Sequence, residues 1–326
     1  MRRSSSSFYN LQMLFAFRDA LRGLDSTAPP TLAGISRDPV RPLPSRLGIL
    51  SGAFDPLTYA HLALAERARE AYSLDEVLFA LSKVIVGKEV VGEACFEDRL
   101  LMLQLLAGRH GFRVVLFNRG LYVEQAEALK QAFPSAQPFF LVGFDKIVQI
   151  FDPCYYADRD AALRRLFELA AFSVAPRQDR GLQDLARLLR RRENRPYQTK
   201  VLYLSLPDEY RGLSSTLVRE AVKEGRSIAS FVPEEVEAFV QETGLYAKPR
   251  RLPDGEEVEP YALRILLLEA LDRARPWAEQ EGDFHGLFRL ALNEAEKGRR
   301  FRAFLLKLPD GPIEAKLQAF QASIEG

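Results

Sequence analysis

The chain has 326 residues, of which 47% are hydrophobic and 27% charged, and its formal net charge is +1. This length can bury the core of one large domain or of two smaller ones. The near-neutral charge argues against a dedicated nucleic-acid-binding protein, and no apolar run reaches the roughly 18 residues of a membrane span. The two cysteines, Cys95 and Cys154, lie far apart. They favour a reducing compartment, here the cytoplasm, and indicate neither a metal site nor a disulfide framework.

Two features mark the N-terminal part of the chain. Residues 1–7 are basic and serine-rich, a composition shared by transit peptides and by frayed tails that precede an amphipathic helix, and we favour a tail. The stretch 27–46 contains five prolines, which block both helices and central strands. We therefore predict an N-terminal helix and an extended proline-rich linker over residues 1–46.

Short apolar runs alternate with helical patterns between residues 47 and 247. Strand patterns begin at Leu47 and recur at 76–81, 112–117, 138–143, 171–177 and 200–204, with helical patterns at 61–72, 98–103 and 123–132 between them. Continuous apolar strands of this kind are typical of a parallel sheet that helices cover on both faces. Residues 47–247 are thus predicted to form an α/β domain whose ligands bind at the carboxyl ends of the strands.

The pattern changes after a break at residues 248–255. Helical periodicity returns at 263–274, 284–297 and 313–323, without a repeat or a cluster of chemically reactive residues. We predict that residues 248–326 form a helical C-terminal extension that serves in packing or in forming a homo-oligomer.

The most informative segment runs from Ser51 to His61, between a strand and a helix. Small residues at 51–53 let backbone N–H groups approach a ligand closely. Thr58 and His61 stand three apart, so both lie on one face of the first helical turn, where the helix dipole favours phosphate. The segment therefore indicates a binding site for the phosphate chain of a nucleotide. A tight turn with a capping Thr58 and a packed His61 is the structural alternative.

Two further segments carry polar groups at strand ends. Gly143 and Asp145 follow a strand, where the carboxylate suits ribose hydroxyls or a magnesium-bound phosphate, or else an N-cap role. Residues 212–220 open a helix with hydroxyl side chains followed by Arg219, a combination that suits an anion. A serine N-cap with a solvent-facing Arg219 is the alternative.

Three stretches in combination resemble the nicotinate/nicotinamide mononucleotide adenylyltransferases, members of the (T/H)xxH nucleotidyltransferase superfamily. They are residues 51–61, residues 213–219, and the run from Gly225 through 231–236 to 244–246. The resemblance spans roughly residues 47–246. It implies a Rossmann-like, doubly wound parallel sheet, which agrees with the strand pattern.

The resemblance also implies an activity: the transfer of adenylate from ATP, supplied with Mg²⁺, to a pyridine mononucleotide, with release of pyrophosphate. It assigns catalysis to Thr58, His61 and Arg219, with His61 stabilising the charge that develops on the α-phosphate. It assigns ATP binding to Ser51, Gly52, Ala53, Phe54, Gly143, Asp145, Ser214, Ser215 and Thr216. It assigns the acceptor to Lys88, Arg177, Tyr155 and Tyr156, and it implies no resident metal site.

The chain departs from the family pattern at two places. Ala60 occupies a position that is often glycine, where the added methyl group can crowd the nucleotide. The tryptophan expected on the pyridine ring is missing, because the only tryptophan, Trp277, lies outside the matching region. Phe151, Tyr155 or Tyr156 can supply an aromatic face instead, or can belong to the core.

These departures leave three functions to consider. The leading hypothesis is an adenylyltransferase with ATP and a pyridine mononucleotide as partners, and with neither nucleic acid nor membrane. The second is a nucleotidyltransferase for another phosphorylated acceptor. The third is a nucleotide-binding regulatory module, or slow ATPase, that retained the phosphate grip alone.

Overall fold

The computed structural model describes residues 8–34, 44–84, 93–252, 255–293 and 296–325. Its main sheet has seven strands, and a two-stranded sheet lies in the C-terminal part. The main-sheet strands are β1 (Leu32–Gly34), β2 (Arg46–Ser51), β3 (Glu76–Ser82), β4 (Arg113–Phe117), β5 (Gln137–Gly143), β6 (Ala171–Ala175) and β7 (Val201–Tyr203). The small sheet pairs β8 (Arg250–Arg251) with β9 (Glu257–Val258).

Helices of varied length connect and flank the strands. Up to the end of the predicted α/β domain they are α1 (Leu11–Gly23), α2 (Tyr59–Tyr72), α3 (Phe96–His110), α4 (Tyr122–Ala132), α5 (Phe144–Phe151), α6 (Arg159–Leu169), α7 (Leu182–Leu189), α8 (Asp208–Arg211), α9 (Ser215–Lys223) and α10 (Glu234–Thr243). The C-terminal helices are α11 (Pro260–Arg273), α12 (Arg275–Glu281), α13 (Phe284–Ala291), α14 (Glu296–Leu306) and α15 (Glu314–Glu325). Short 3₁₀ turns occupy Pro153–Tyr155 and Arg195–Lys200.

The strand order in the main sheet is β1-β4-β3-β2-β5-β6-β7. All neighbours pair in parallel except β1, which runs antiparallel to β4 at one edge. The predicted doubly wound α/β fold is therefore confirmed.

Successive side chains of a strand point to opposite faces of the sheet, and here both faces are buried. Along β3, Val77, Phe79 and Leu81 belong to one core cluster, whereas Leu78 and Ala80 belong to the other. This two-sided burial explains why the strands read as continuous apolar runs.

The predicted linker contains a strand that was not predicted because of the neighbouring prolines. Leu32–Gly34 adds β1 to the sheet beside β4, because proline excludes a segment from central strands but leaves edge positions open. The predicted N-terminal helix is α1, whose residues Leu14 and Phe15 are almost fully buried.

The helix predicted at residues 284–297 is wrong in extent. The structure ends α13 at Ala291 and begins a separate helix at Glu296, and it adds α12, which holds the buried Trp277. At the end of α13 the Arg302 guanidinium donates to the carbonyl groups of Ala291 and Asn293. Among the described residues, no helix is both long and apolar enough to cross a membrane.

Candidate active site

The candidate site lies where the chain changes direction across the sheet. From β2 the chain proceeds to β3 and β4 on one side, and then crosses to β5, β6 and β7 on the other. The carboxyl ends of β2 and β5 are therefore adjacent, and the loops that follow them diverge to leave a crevice. Parallel sheets bind their ligands in such a crevice.

Thr58 and His61 form a reciprocal cap at the start of α2. The backbone N–H of Thr58 donates to His61 Nδ1 at 3.0 Å, and the Thr58 hydroxyl oxygen lies 2.9 Å from the same nitrogen. Because a backbone N–H can only donate, Nδ1 must be unprotonated, and the neutral ring carries its proton on Nε2. The alternative of a capping Thr58 is thus correct, because Thr58 is the N-cap residue of α2. The same contacts hold the His61 ring in place and leave its Nε2–H out of the cap.

Burial, and to a smaller extent the nearby Arg177 guanidinium, lowers the pKa of His61 from 6.5 to about 4. Protonation of the ring at Nδ1 would also break the bond from the Thr58 N–H. The imidazole is therefore neutral near pH 7, with Nε2–H as its only ring N–H donor.

The loop after β2 is held by a backbone hydrogen bond to β3 and by the packing of the Phe54 side chain. Gly52 N–H donates to the Ala80 carbonyl and so prolongs the β2–β3 pairing. The Phe54 ring is buried, at 2% exposure, with its centroid 5.3 Å from that of His61. Phe54, predicted to bind ATP, therefore supports His61 with its ring and leaves only its main chain for a ligand.

Asp55 is the central polar residue of this loop. Its side chain is buried and accepts hydrogen bonds from the backbone N–H groups of Glu93 and Ala94 and from the Tyr246 hydroxyl. The distances are 2.9, 3.1 and 2.7 Å. Buried carboxylates need such partners, so Asp55 joins the β2 loop to the start of α3 and to residues after α10.

The segment at the start of α9 lies against the same loop. Ser214 caps the helix by accepting from the Leu217 N–H at 3.1 Å, and Ser215 donates to the Pro56 carbonyl at 2.8 Å. Arg219 donates to the Asp55 carbonyl at 2.7 Å and to the Thr216 hydroxyl at 3.3 Å. The serine cap is therefore present, but the alternative of a solvent-facing Arg219 is wrong.

Gly143 is the N-cap of α5, and Asp145 is a residue of its first turn, so the N-cap alternative for Asp145 is wrong. The Asp145 carboxylate is exposed and lies 3.7 Å from the Arg177 guanidinium. Arg177 in turn donates to the Leu213 carbonyl at 3.1 Å. Arg177 thus joins the ends of β5 and β6 to the α9 segment.

A cavity opens beside the β2 loop, and Ser51, Gly52 and Ala53 form part of its wall. The cavity is also lined by Tyr155 and Tyr156, which were predicted to bind the acceptor substrate. The Tyr156 hydroxyl donates to the Ile150 carbonyl, and burial raises its pKa to about 12. Phe151 instead packs in the core, near Phe167 and Tyr197.

The polar side chains of this cavity that were not predicted include Arg99, Gln125 and Lys146. Arg99 is 1% exposed and donates to the Ala53 carbonyl at 3.3 Å. Gln125 Oε1 is buried and has no hydrogen-bond partner in the described part of the chain. Lys146 donates to Gln149 at 2.6 Å.

The sequence held a signal for two of these residues. Gln125 stands on the helix stripe that contains Tyr122, Ala126 and Leu129, and Arg99 lies one helical turn before Leu103, on the same helix face. A polar residue within an apolar stripe requires a partner or a ligand.

The structure brings the three predicted segments and Arg177 together. Of the two lysines that follow β3, only Lys83 belongs to the described residues. Lys88 lies outside the described residues. Lys83 donates to the Leu21 and Leu24 carbonyl groups at the end of α1.

This combination of fold and site defines a nucleotide-binding α/β protein of the doubly wound class. The family model described as cytidylyltransferase-like matches residues 49–221, which is more than half of the chain. A probable nicotinate-nucleotide adenylyltransferase of Syntrophotalea carbinolica is 32% identical over 223 residues, covering 63% of this chain and 99% of the relative. One of Trichlorobacter lovleyi is 31% identical over 217 residues, covering 62% and 99%.

The chain therefore belongs to the cytidylyltransferase-like family, in its nicotinate/nicotinamide mononucleotide adenylyltransferase branch, and is a nucleotidyltransferase. Among solved structures, the Plasmodium falciparum nicotinic acid mononucleotide adenylyltransferase complexed with NaAD superposes with a TM-score of 0.48 at 17% identity. That match covers 62% of this chain and 97% of the other, and it adds nothing to the family assignment.

Proposed function

We propose that the protein transfers adenylate from ATP to nicotinate mononucleotide and releases pyrophosphate. One observation carries the proposal: a cavity with cationic side chains shares the wall Ser51–Ala53 with the loop that precedes His61. An acceptor in this cavity would lie next to an ATP whose phosphates face the start of α2.

The charge of the cavity supports an anionic acceptor. Its described lining includes Arg99 and Lys146 but neither aspartate nor glutamate. Nicotinate mononucleotide carries a ring carboxylate as well as a phosphate, whereas the nicotinamide form carries only the phosphate. Cations of low exposure favour the ligand with more negative charge. The relatives' names point to the same acceptor.

The proposed chemistry is a single displacement at phosphorus. A phosphate oxygen of the acceptor bonds to the α-phosphorus of ATP, and the bond from that phosphorus to the bridging oxygen breaks, so that pyrophosphate leaves. Such reactions depend on positioning and charge stabilisation. The Nε2–H of His61 would donate to an α-phosphate oxygen as charge grows there.

The other predicted ATP residues would hold the remaining groups. The backbone N–H groups of Ala53 and of the start of α9 would donate to phosphate oxygens, and Arg219 would supply charge for the β- and γ-phosphates. Asp145, exposed at the end of β5, would accept hydrogen bonds from ribose hydroxyls. Magnesium would enter with ATP as part of that substrate.

The direct test is to incubate the protein with ATP, Mg²⁺ and either nicotinate or nicotinamide mononucleotide, and to follow dinucleotide and pyrophosphate by chromatography. We expect dinucleotide with nicotinate in preference to nicotinamide, and its loss in His61→Ala. Binding of ATP without dinucleotide from either acceptor would contradict the proposal and favour another acceptor or a regulatory module.

A further inference from the structure

Three consecutive charged residues in the first turn of α3 contact three different parts of the molecule. Glu97 pairs with Arg18 of α1, Asp98 pairs with Arg264 of α11, and Arg99 lines the cavity beside the β2 loop. All three residues are at most 9% exposed. This turn therefore connects the N-terminal helix and the C-terminal helices to the candidate site.

The pair formed by Asp98 and Arg264 is fully enclosed. Arg264 is 0% exposed and Asp98 1%. The guanidinium donates to both carboxylate oxygens, at 3.0 and 2.7 Å, and Tyr261 donates to the carboxylate at 2.8 Å. The Tyr261 hydroxyl also accepts from the Cys95 N–H at 2.9 Å. The bidentate geometry fixes the direction of the turn as well as its position.

The second pair comes from the opposite end of the chain. Arg18 donates to Glu97 at 2.7 Å and to Asp272 of α11 at 3.2 Å. Arg264 also donates to the Phe8 carbonyl at 2.8 Å. The N-terminal and C-terminal segments thus contact each other at the place where both contact α3.

Arg99 is held by few groups of its own. Its guanidinium donates to the Ala53 carbonyl at 3.3 Å and lies 4.6 Å from the centroid of the Phe96 ring, and its Nε has no hydrogen-bond partner among the described residues. The direction of this side chain therefore depends on where the backbone of the turn is held.

We infer that Arg264 and Arg18 are positioning residues, which hold the first turn of α3 so that Arg99 faces the acceptor cavity. Both lie outside residues 49–221, the part that the family model matches, whereas Glu97, Asp98 and Arg99 lie inside it. The terminal segments would then set the affinity of this site for its acceptor. The inference rests on the proposed function for its kinetic readout.

The test compares Arg264→Met, Arg264→Lys and Arg18→Gln with the unchanged protein in steady-state kinetics. We expect the KM for nicotinate mononucleotide to rise about 10-fold to 100-fold in the first, because small displacements of a binding group have effects of that size. Arg264→Lys, which keeps the charge, is expected to recover part of the loss. The KM for ATP should stay unchanged in all three.

Arg302→Met is the matched control. Arg302 is also a buried arginine of the C-terminal helices, at 1% exposure, but it bonds to Glu256 and to carbonyl groups within that region. Its loss should lower the melting temperature and leave the KM for the acceptor unchanged. If Arg264→Met does not fold, the test rests on Arg18→Gln, which removes the less deeply buried pair between Arg18 and Glu97.

A fall in kcat with both KM values unchanged, equal in the Arg264 and Arg302 variants, would overturn the inference. If the unchanged protein makes no dinucleotide, the proposed function fails, and amide hydrogen exchange over residues 93–106 tests the coupling separately. Faster exchange there in Arg18→Gln and Arg264→Met than in Arg302→Met supports the inference. Equal exchange in all three overturns it.

Discussion

At the scale of single residues, the hydrogen bond from the Thr58 N–H decides what His61 can do. It reserves Nδ1 as an acceptor and places the proton of the neutral ring on Nε2. The pKa of about 4 keeps the ring neutral in the ligand-free protein. His61 is therefore suited to donate a hydrogen bond to developing charge, without transferring a proton.

His61→Ala is expected to lower kcat about 10²-fold to 10³-fold while changing the KM for ATP much less. The reason is that a donor aimed at developing charge acts mainly in the transition state. Steady-state kinetics with varied ATP measure both constants. Equal losses in kcat and in ATP affinity would contradict this role.

The ionisation of His61 can be observed directly by ¹⁵N NMR of its ring, with His61→Gln identifying the signals. We expect a midpoint near pH 4, with Nε2 protonated above it. Since the unfolded state takes up its proton near pH 6.5, the contribution of His61 to stability is complete above that pH and declines as the pH falls toward 4. A midpoint near 6.5 in the folded protein would refute the assignment.

At the scale of elements, the β2 loop is held by side chains from distant parts of the sequence. Asp55 joins it to the residues before α3 and to Tyr246, and Arg219 of α9 reaches its backbone. A loop fixed in this way can present backbone N–H groups without reorganising when a ligand binds.

Tyr246→Phe removes the hydroxyl that donates to the buried Asp55 carboxylate at 2.7 Å. We expect the free energy of unfolding to fall by about 1.5–3 kcal/mol, the range for hydrogen bonds to charged groups. Tyr156→Phe is the comparison, because the Tyr156 hydroxyl donates to a neutral carbonyl. That substitution should lower the free energy of unfolding by about 1 kcal/mol. Urea denaturation measures both, and a smaller loss in Tyr246→Phe would contradict the expectation.

Arg219→Ala is expected to raise the KM for ATP about 10-fold or more, because the guanidinium fixes the β2 loop and, in the proposed function, would supply charge for the phosphates. Arg226→Ala, which removes an exposed arginine paired with Glu224, should leave that constant unchanged. ATP kinetics of the two variants check this, and an unchanged KM in Arg219→Ala would remove the residue from the site.

At the scale of the whole molecule, the terminal segments share a core with the sheet. One cluster of buried side chains includes Leu14 and Phe15 of α1, Leu100 of α3, and Leu267 and Trp277 of the C-terminal helices. Segments that bury one another in this way are expected to unfold together.

Trp277, the only tryptophan, reports on this expectation. Its fluorescence follows the C-terminal helices, whereas far-UV circular dichroism follows all of the secondary structure. We expect both signals to change at the same urea concentration. Two separate transitions would show that residues 248–326 unfold as an independent domain.

The sequence by itself determined the α/β class, the strand positions and the segments that carry the site, because two-sided burial and loop chemistry leave local patterns. Predicted strands at 76–81 and 138–143 lie within one residue of the observed ones at each end. The spacing of Thr58 and His61 was likewise readable, since helix geometry fixes neighbours three apart.

The tertiary structure alone decided which distant residues complete the site. The partners of Asp55 and Asp98 lie 164 and 166 positions away in Arg219 and Arg264, and no local pattern records a contact across such a separation. Local propensity fixes elements, whereas burial and pairing between remote segments fix the direction in which their side chains act.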